Sequence, residues 1–193
     1  MNGDGYADVI VGAPTPGAAY VFHGGPTGIA DATGPTATTQ ITGGSDSFGT
    51  SVAGAGDVNG DGFADVIVGA PNFSATQNAE GGAFVYFGSA LGVPNSSEAS
   101  ADVRLVSGQA SALLGQSVAS AGDVNKDGGA DVIVGAYLYE TNPPTDNDEG
   151  VAFVYYGVPE PDALGAPLAA IAALLWLRGR DRSQTSQVPQ PSS

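Results

Sequence analysis

The sequence has no cysteine, which excludes disulfide bonds, thiolate metal sites and cysteine nucleophiles. It is also poor in positive charge, with five Lys and Arg against 20 Asp and Glu and a formal net charge of −15. Residues 1–157 carry this whole excess, since they hold 17 acidic and two basic side chains. Contacts to phosphate need a basic surface, so we expect no nucleic acid among the partners of this chain.

Long helices are not expected in the main body. The 193 residues include 30 glycines and 13 prolines, which interrupt helices and favour turns. Between them lie short apolar runs such as Val66-Ile67-Val68, bounded by turn residues. This pattern predicts an all-β fold of short strands, the apolar runs being buried on both faces.

The most informative stretch is residues 57–65, Asp-Val-Asn-Gly-Asp-Gly-Phe-Ala-Asp. Oxygen-bearing side chains occupy positions 1, 3, 5 and 9, and the carbonyl of position 7 can add another oxygen. A hard cation such as Ca²⁺ takes six to eight oxygens at about 2.3–2.6 Å. The loop therefore predicts a calcium site with the ligands Asp57, Asn59, Asp61, Phe63 (carbonyl) and Asp65.

The same pattern recurs twice. Residues 123–131 repeat every ligand position, which predicts a second site formed by Asp123, Asn125, Asp127, Gly129 (carbonyl) and Asp131. The first copy starts inside its loop, with the candidate ligands Asn2, Asp4, Tyr6 (carbonyl) and Asp8. The alternative is that Asp, Asn and Gly only form turns. An EF-hand is excluded, because position 12 is Val68 or Val134 where a glutamate is needed, and strand follows.

The residues around each loop repeat as well, which indicates a unit of four short strands. In the second copy we expect strands at Ser51–Gly56, Ala64–Ala70, Ala83–Phe87 and Val103–Val106, and in the first an outer strand at 38–41. Apart from that outer strand, we expect loops at residues 26–47, 89–101 and 137–148. Four antiparallel strands per copy, with loops spaced by 57 and then 66 residues, are typical of β-propeller blades.

These copies resemble a known family. Phe48-Gly49, the loop, and Gly69-Ala70-Pro71 together are similar to the FG-GAP repeat of integrin α-subunit propellers and their bacterial relatives. The third copy is a relaxed version, with Leu114-Gly115 and Gly135-Ala136-Tyr137. The resemblance implies a seven-bladed, calcium-binding propeller that binds ligands or mediates adhesion outside the cell.

The predicted domain organisation follows from these copies. Residues 1–157 form the repeats, divided into a truncated blade (1–47), a full blade (48–110) and a partial blade (111–157). Two and a half blades of seven indicate a fragment, whose missing blades we expect from the rest of the intact protein. Stacked repeats bury their faces only against neighbouring repeats.

The C-terminal region differs in composition. Residues 158–182 contain Pro159-Glu160-Pro161, a 15-residue apolar stretch (163–177) and three arginines. As a helix the stretch would measure about 22 Å, short of a hydrocarbon core near 30 Å. The pattern resembles the PEP-CTERM sorting segment of Gram-negative bacteria. It implies export to the envelope or exterior, with residues 163–177 a transient or stable membrane anchor; a C-terminal core helix is the alternative. Residues 183–193 are predicted to be a disordered tail.

Nothing in the sequence assembles a catalytic site. The single histidine, His23, aligns with Phe87 and Tyr156 at a strand end, so a Ser/His/Asp triad has no other base available. We therefore expect a non-enzymatic module that binds an unidentified protein or polysaccharide. The alternative is the non-catalytic propeller portion of a larger secreted hydrolase.

Overall fold

The computed structural model describes residues 1–29, 33–44, 46–141, 149–158 and 175–176. Within these ranges the regular structure is β-strand apart from two short 3₁₀ turns, Gly34–Thr36 and Glu98–Ser100. The strands are β1 (Val9–Ala13), β2 (Ala18–Phe22), β3 (Thr39–Thr42), β4 (Ser51–Gly56), β5 (Asp65–Ala70), β6 (Gly82–Tyr86), β7 (Ser96–Ser97), β8 (Val103–Val106), β9 (Leu114–Gly122), β10 (Asp131–Ala136), β11 (Val151–Tyr155) and β12 (Leu175–Trp176).

The described strands form three four-stranded sheets, one for each sequence copy. Blade 1 has the order β1-β2-β3-β7, blade 2 the order β4-β5-β6-β8, and blade 3 the order β12-β11-β10-β9. Neighbouring strands are antiparallel except for β3 and β7, which run parallel. The predicted all-β fold of propeller-type blades is confirmed, and in blade 2 each predicted strand lies within one or two residues of its observed bounds.

The blades stack through alternating residues of their strands. All six residues of β5 are buried, because side chains point alternately to the two neighbouring blades. Val66 and Val68 pack with Ala19 and Val21 of blade 1. Ile67, on the opposite face, belongs to a second cluster together with the strands of blade 3. Burying a valine or isoleucine side chain fully contributes roughly 1.5–3 kcal/mol to stability. Because both apolar clusters lie between blades, these junctions form the core of the described part of the molecule.

Glycines let adjacent blades approach each other closely. A Cβ atom on Gly12 would lie 2.1 Å from the carbonyl oxygen of Gly49, and one on Gly69 would lie 2.1 Å from that of Gly115. Gly49 and Gly115 also have φ values of 86° and 89°, which favour glycine. Gly12 and Gly69 thus each touch the glycine near the start of the next blade, and a side chain at either contact would separate the two sheets.

The connection after β6 is more ordered than the sequence indicated. Residues 89–101 were expected to form a loop, but they contain the strand β7 and a 3₁₀ turn. β7 leaves blade 2 and extends the sheet of blade 1 by pairing with β3. The backbone N–H of Gln40 donates to Asn95 Oδ1 over 2.7 Å, and the hydroxyl of Thr39 donates to the carbonyl of Val93. This segment therefore ties blade 2 to blade 1.

The C-terminal region is described only at Leu175 and Trp176. These two residues form β12 rather than part of the predicted helix, because the free edge of β11 offers them backbone hydrogen bonds. Leu175 pairs with Val154, as Val103 of β8 pairs with Val85. The rest of the predicted helix and the 183–193 tail lie outside the described residues. Among the described residues there is no helix of the length and hydropathy needed to span a membrane.

A buried glutamate, Glu80, holds the connection between blades 2 and 3. Its carboxylate accepts backbone N–H groups from Ala75, Gln77 and Gly108 at 2.9–3.1 Å, and a further one from Thr76. Burial alone would raise the pKa of the Glu80 carboxyl, but these N–H groups outweigh it and hold the pKa below its ordinary value.

We predict that Glu80→Gln lowers the free energy of unfolding by about 2–3 kcal/mol at pH 7, because charge-assisted hydrogen bonds are lost and an amide N–H₂ faces N–H donors. The folded pKa of Glu80 is depressed, so its contribution is present above the unfolded pKa and is lost as pH falls through the folded value. The difference between the two proteins should therefore narrow in acid. Urea unfolding followed by circular dichroism measures both effects.

Glu98→Gln is the matched control. Its carboxylate accepts a single backbone N–H, from Gly44 at 3.2 Å, and a glutamine oxygen can accept the same bond. We expect a change of under about 0.5 kcal/mol for this variant. Equal losses for Glu80→Gln and Glu98→Gln would contradict the special role of Glu80.

Candidate metal centre

The loop between β4 and β5 is a turn built from its own side chains. The two carboxylate oxygens of Asp57 accept the N–H groups of Asp61 and Gly62 at 3.0 and 2.8 Å. Asn59 Oδ1 accepts the Asp61 N–H at 3.2 Å, and its amide group donates to Asp61 Oδ2 at 3.0 Å. Asp61 Oδ1 accepts the N–H of Phe63 at 2.9 Å. The side chains at positions 1, 3 and 5 are therefore brought together by one hydrogen-bonded turn.

The other two loops repeat this arrangement. In blade 3 the carboxylate of Asp123 accepts the N–H groups of Asp127 and Gly128 at 3.1 and 3.0 Å, and Asp127 accepts that of Gly129 at 2.9 Å. Asn125 links to Asp127 through both its oxygen and its amide nitrogen. In blade 1, Asn2, Asp4 and Tyr6 make the corresponding bonds. The three predicted sites thus share one local geometry.

The aspartate at position 9 has a structural role that the ligand pattern of the loop did not predict. Asp65 is fully buried, and its two oxygens accept the N–H groups of Val58 and Gly88, each at 2.8 Å. Asp131 makes the equivalent two bonds in blade 3, whereas in blade 1 Asp8 accepts the N–H groups of Asn2 and Gly24. Each of these carboxylates joins its loop to the glycine just after β2, β6 or β11. The only sequence signal for this contact was the recurrence of that glycine in every copy.

The environment of Asp65 disfavours its charge. Burial raises the pKa of the Asp65 carboxyl to about 6; the N–H groups of Gly88 and Val58 oppose this rise, and the nearby charges of Asp61 and Asp57 add to it. A cation in the loop would favour the ionised form and so reverse the effect of burial.

The residues fit a hard cation by the type of their donors. Each predicted ligand offers oxygen, as calcium prefers, and a carboxylate oxygen that accepts one N–H keeps a further lone pair. Within the described ranges, however, no group of three or more His, Cys, Asp or Glu side chains is gathered at metal-binding distance. Positions 1, 3 and 5 of the loop lie together, whereas both oxygens of Asp65 contact backbone N–H groups.

The loops also lie at the junctions between blades. The carbonyl oxygen of Asp57 accepts the N–H of Ala130 at 2.7 Å, and that of Val58 accepts the N–H of Val158 at 3.1 Å. Ala130 belongs to blade 3, and Val158 directly follows it in the chain. An ion that orders the loop of blade 2 would therefore also order its contact with blade 3.

His23 takes no part in the hydrogen bonds of the three loops. Within the described part of the chain, the Nε2 atom of His23 is buried without a hydrogen-bond partner, beside Gly92 of the connection after β6. Its backbone N–H donates to Thr38 Oγ1 at 3.2 Å. A structural role for His23 stays a prediction.

Comparison with known proteins identifies the repeat. Residues 1–25 and 48–87 match the family described as FG-GAP repeat. The chain is 42% identical to mouse integrin alpha-7 over 102 residues, 48% of this chain and 8% of that protein. It is 35% identical to rat integrin alpha-7 over 147 residues (70% and 12%) and 31% identical to integrin alpha-4 of Xenopus laevis over 149 residues (73% and 14%). The matched region is thus a small part of each relative's length.

We predict a pH-dependent difference in stability between wild type and the Asp65→Asn variant in the presence of a chelator. The free energy of unfolding of wild type, minus that of the variant, should fall as pH rises from about 4 to about 6. The folded pKa of Asp65 is raised, so the protonated form stabilises the fold below the unfolded pKa, and this contribution is lost through the folded value near 6. The full change corresponds to roughly 3 kcal/mol. Thermal unfolding of both proteins across this pH range measures it, and a difference independent of pH would contradict the prediction.

Proposed function

Because the chain carries FG-GAP repeats of the integrin α type, we propose that it is a calcium-binding β-propeller module of the extracellular space or cell surface. Its role would be adhesion or the binding of a protein or polysaccharide ligand. The observation that carries the proposal is the recurrence of one oxygen-donor turn, with shared hydrogen bonds, at the same place in three blades.

Charge supports the assignment of calcium. Each complete loop places three aspartates within nine residues, and like charges so close disfavour ionisation of one another. A divalent cation offsets this repulsion within a protein whose formal charge is −15. With a dissociation constant near 0.1–1 mM and millimolar calcium, each site would add roughly 0.4–1.4 kcal/mol to stability.

The proposed role is binding rather than catalysis. The carboxylates of the loops are engaged with backbone N–H groups, and the one histidine of the sequence, His23, follows β2 within blade 1 and takes no part in the hydrogen bonds of the loops. On the sequence pattern alone, we also propose that the region from residue 158 onward directs export to the envelope and that residues 163–177 contact a membrane. No nucleic acid is proposed as a partner, because the acidic surface repels phosphate.

Asp61→Asn should weaken calcium binding at the loop of blade 2 by about tenfold or more, because one carboxylate charge is lost. The asparagine oxygen can still accept the Phe63 N–H, but the bond from the Asn59 amide to Asp61 Oδ2 is lost. We therefore expect a small drop in melting temperature in chelator and a larger drop in millimolar calcium. Isothermal titration with CaCl₂ should show the heat of one site lost.

Asp102→Asn provides the control. Asp102 is exposed, and its Oδ2 accepts the Phe87 N–H at 2.8 Å outside the loops, so this variant removes the same charge without touching a site. Its calcium titration should match wild type. A wild-type titration without heat, or equal effects of the two substitutions in calcium, would overturn the metal assignment.

A further inference from the structure

The loops of blades 2 and 3 differ in the residue that follows the asparagine of position 3. Asn59 of blade 2 is followed by Gly60, whereas Asn125 of blade 3 is followed by Lys126. Gly60 and Lys126 share a positive φ, 75° and 63°. Both asparagines make the same two hydrogen bonds to the aspartate of position 5. The two loops therefore compare glycine with lysine next to an asparagine held in the same way.

Gly60 leaves the Asn59 side chain open to attack by the main chain. The amide carbon of an asparagine can react with the backbone nitrogen of the next residue, and the side chain of that residue obstructs the approach. Glycine has no Cβ atom and removes this obstacle. Gly60 is exposed, and its N–H has no hydrogen-bond acceptor in the described part of the chain. The N–H of Gly62, in contrast, is engaged with Asp57 Oδ2 at 2.8 Å.

The turn also holds the Asn59 amide in a reactive arrangement. Asn59 Oδ1 accepts the backbone N–H of Asp61 at 3.2 Å, and Asn59 Nδ2 donates to Asp61 Oδ2 at 3.0 Å. Attack on the amide carbon places negative charge on Oδ1. A backbone N–H that is already directed at this oxygen stabilises that charge. The turn thus supplies an electrophile, and Gly60 supplies a nucleophile without a competing hydrogen bond.

We propose that Asn59 is a site of self-modification, at which the chain loses a side-chain amide without the help of an enzyme. A base in the solvent removes the proton of the Gly60 N–H, and this nitrogen forms a bond to Cγ of Asn59. The bond from Cγ to Nδ2 breaks, and Nδ2 takes up a proton from water and leaves as ammonia. Water then opens the resulting succinimide at either carbonyl, which yields aspartate or isoaspartate.

Either product changes the charge of the blade 2 loop alone. The loop already holds Asp57, Asp61 and Asp65, and the reaction adds a fourth carboxylate. The amide that donated to Asp61 Oδ2 becomes an acceptor, so two like charges face each other where a hydrogen bond was. Isoaspartate also lengthens the main chain within the turn. The loops of blades 2 and 3 would therefore diverge as the protein ages.

Peptide mapping by mass spectrometry measures the reaction in the folded, full-length chain, incubated in chelator at mildly alkaline pH. The peptide that contains Asn59 should gain one dalton, and an isoaspartate methyltransferase should label part of it. We expect Asn59 to convert at least about tenfold faster than Asn125, because Lys126 obstructs the approach that Gly60 leaves open. Asn125 is exposed and Asn59 only 6% exposed, so solvent access alone would give the opposite order.

A reciprocal exchange provides the matched control. Lys126→Gly should make Asn125 convert about as fast as Asn59 does in wild type, and Gly60→Lys should slow Asn59 to the wild-type rate of Asn125. The loop of blade 3 already accommodates a lysine at this positive φ, so we expect both variants to fold. Circular dichroism and thermal unfolding check this. Asn59→Asp supplies the reference peptide for one of the two products.

Three results would overturn the proposal. The first is an Asn59 that stays intact in the folded protein over a period in which the urea-unfolded chain loses it. The second is an equal rate of conversion at Asn59 and Asn125, and the third is an order of rates that the exchange of Gly60 and Lys126 leaves unchanged. Asn2, which also precedes a glycine, is resolved as a separate peptide and does not enter the comparison.

Discussion

The structure depends on strands whose two faces must both be buried. In β5 the valines Val66 and Val68 pack on one neighbouring blade and Ile67 on the other, so the strand has no face suited to water. An antiparallel sheet usually buries one face and leaves the other solvated. Here the sheet of blade 2 is a middle layer, and stacked repeats bury their faces only against neighbouring repeats. The apolar junctions therefore determine how the blades stack.

Carboxylates connect these layers at the ends of the strands. Asp65 and Glu80 are both fully buried, and both act as acceptors for backbone N–H groups that the loops leave unpaired. Their pKa values nevertheless move in opposite directions, raised for Asp65 and lowered for Glu80. Burial raises the pKa of both carboxyl groups. The four N–H groups that Glu80 accepts outweigh it, whereas the two that Asp65 accepts do not, and the charges of Asp61 and Asp57 raise the pKa of Asp65 further.

Much of the fold and the position of the candidate site could be predicted from local patterns. The bounds of β4 agree because Ser51–Gly56 is flanked by turn residues, and the three loops agree because turn chemistry acts over a few residues. The role of Asp65 could not be predicted, since its partner Gly88 is 23 residues away. Nor could β7, whose pairing with β3 joins residues about 55 positions apart through backbone groups that any residue carries.

The sequence by itself determined the repeat, the strand order within a blade and the oxygen-donor turns, because short-range periodicity and glycine conformations specify them. Only the tertiary structure decided which face of each blade meets which neighbour, where β7 crosses to blade 1, and how Glu80 and Asp65 are buried. These features arise from contacts between distant segments, such as the approach of Gly69 to the Gly115 carbonyl. Packing selects such contacts by shape and by the need to pair every buried polar group, and neither requirement leaves a local pattern in the chain.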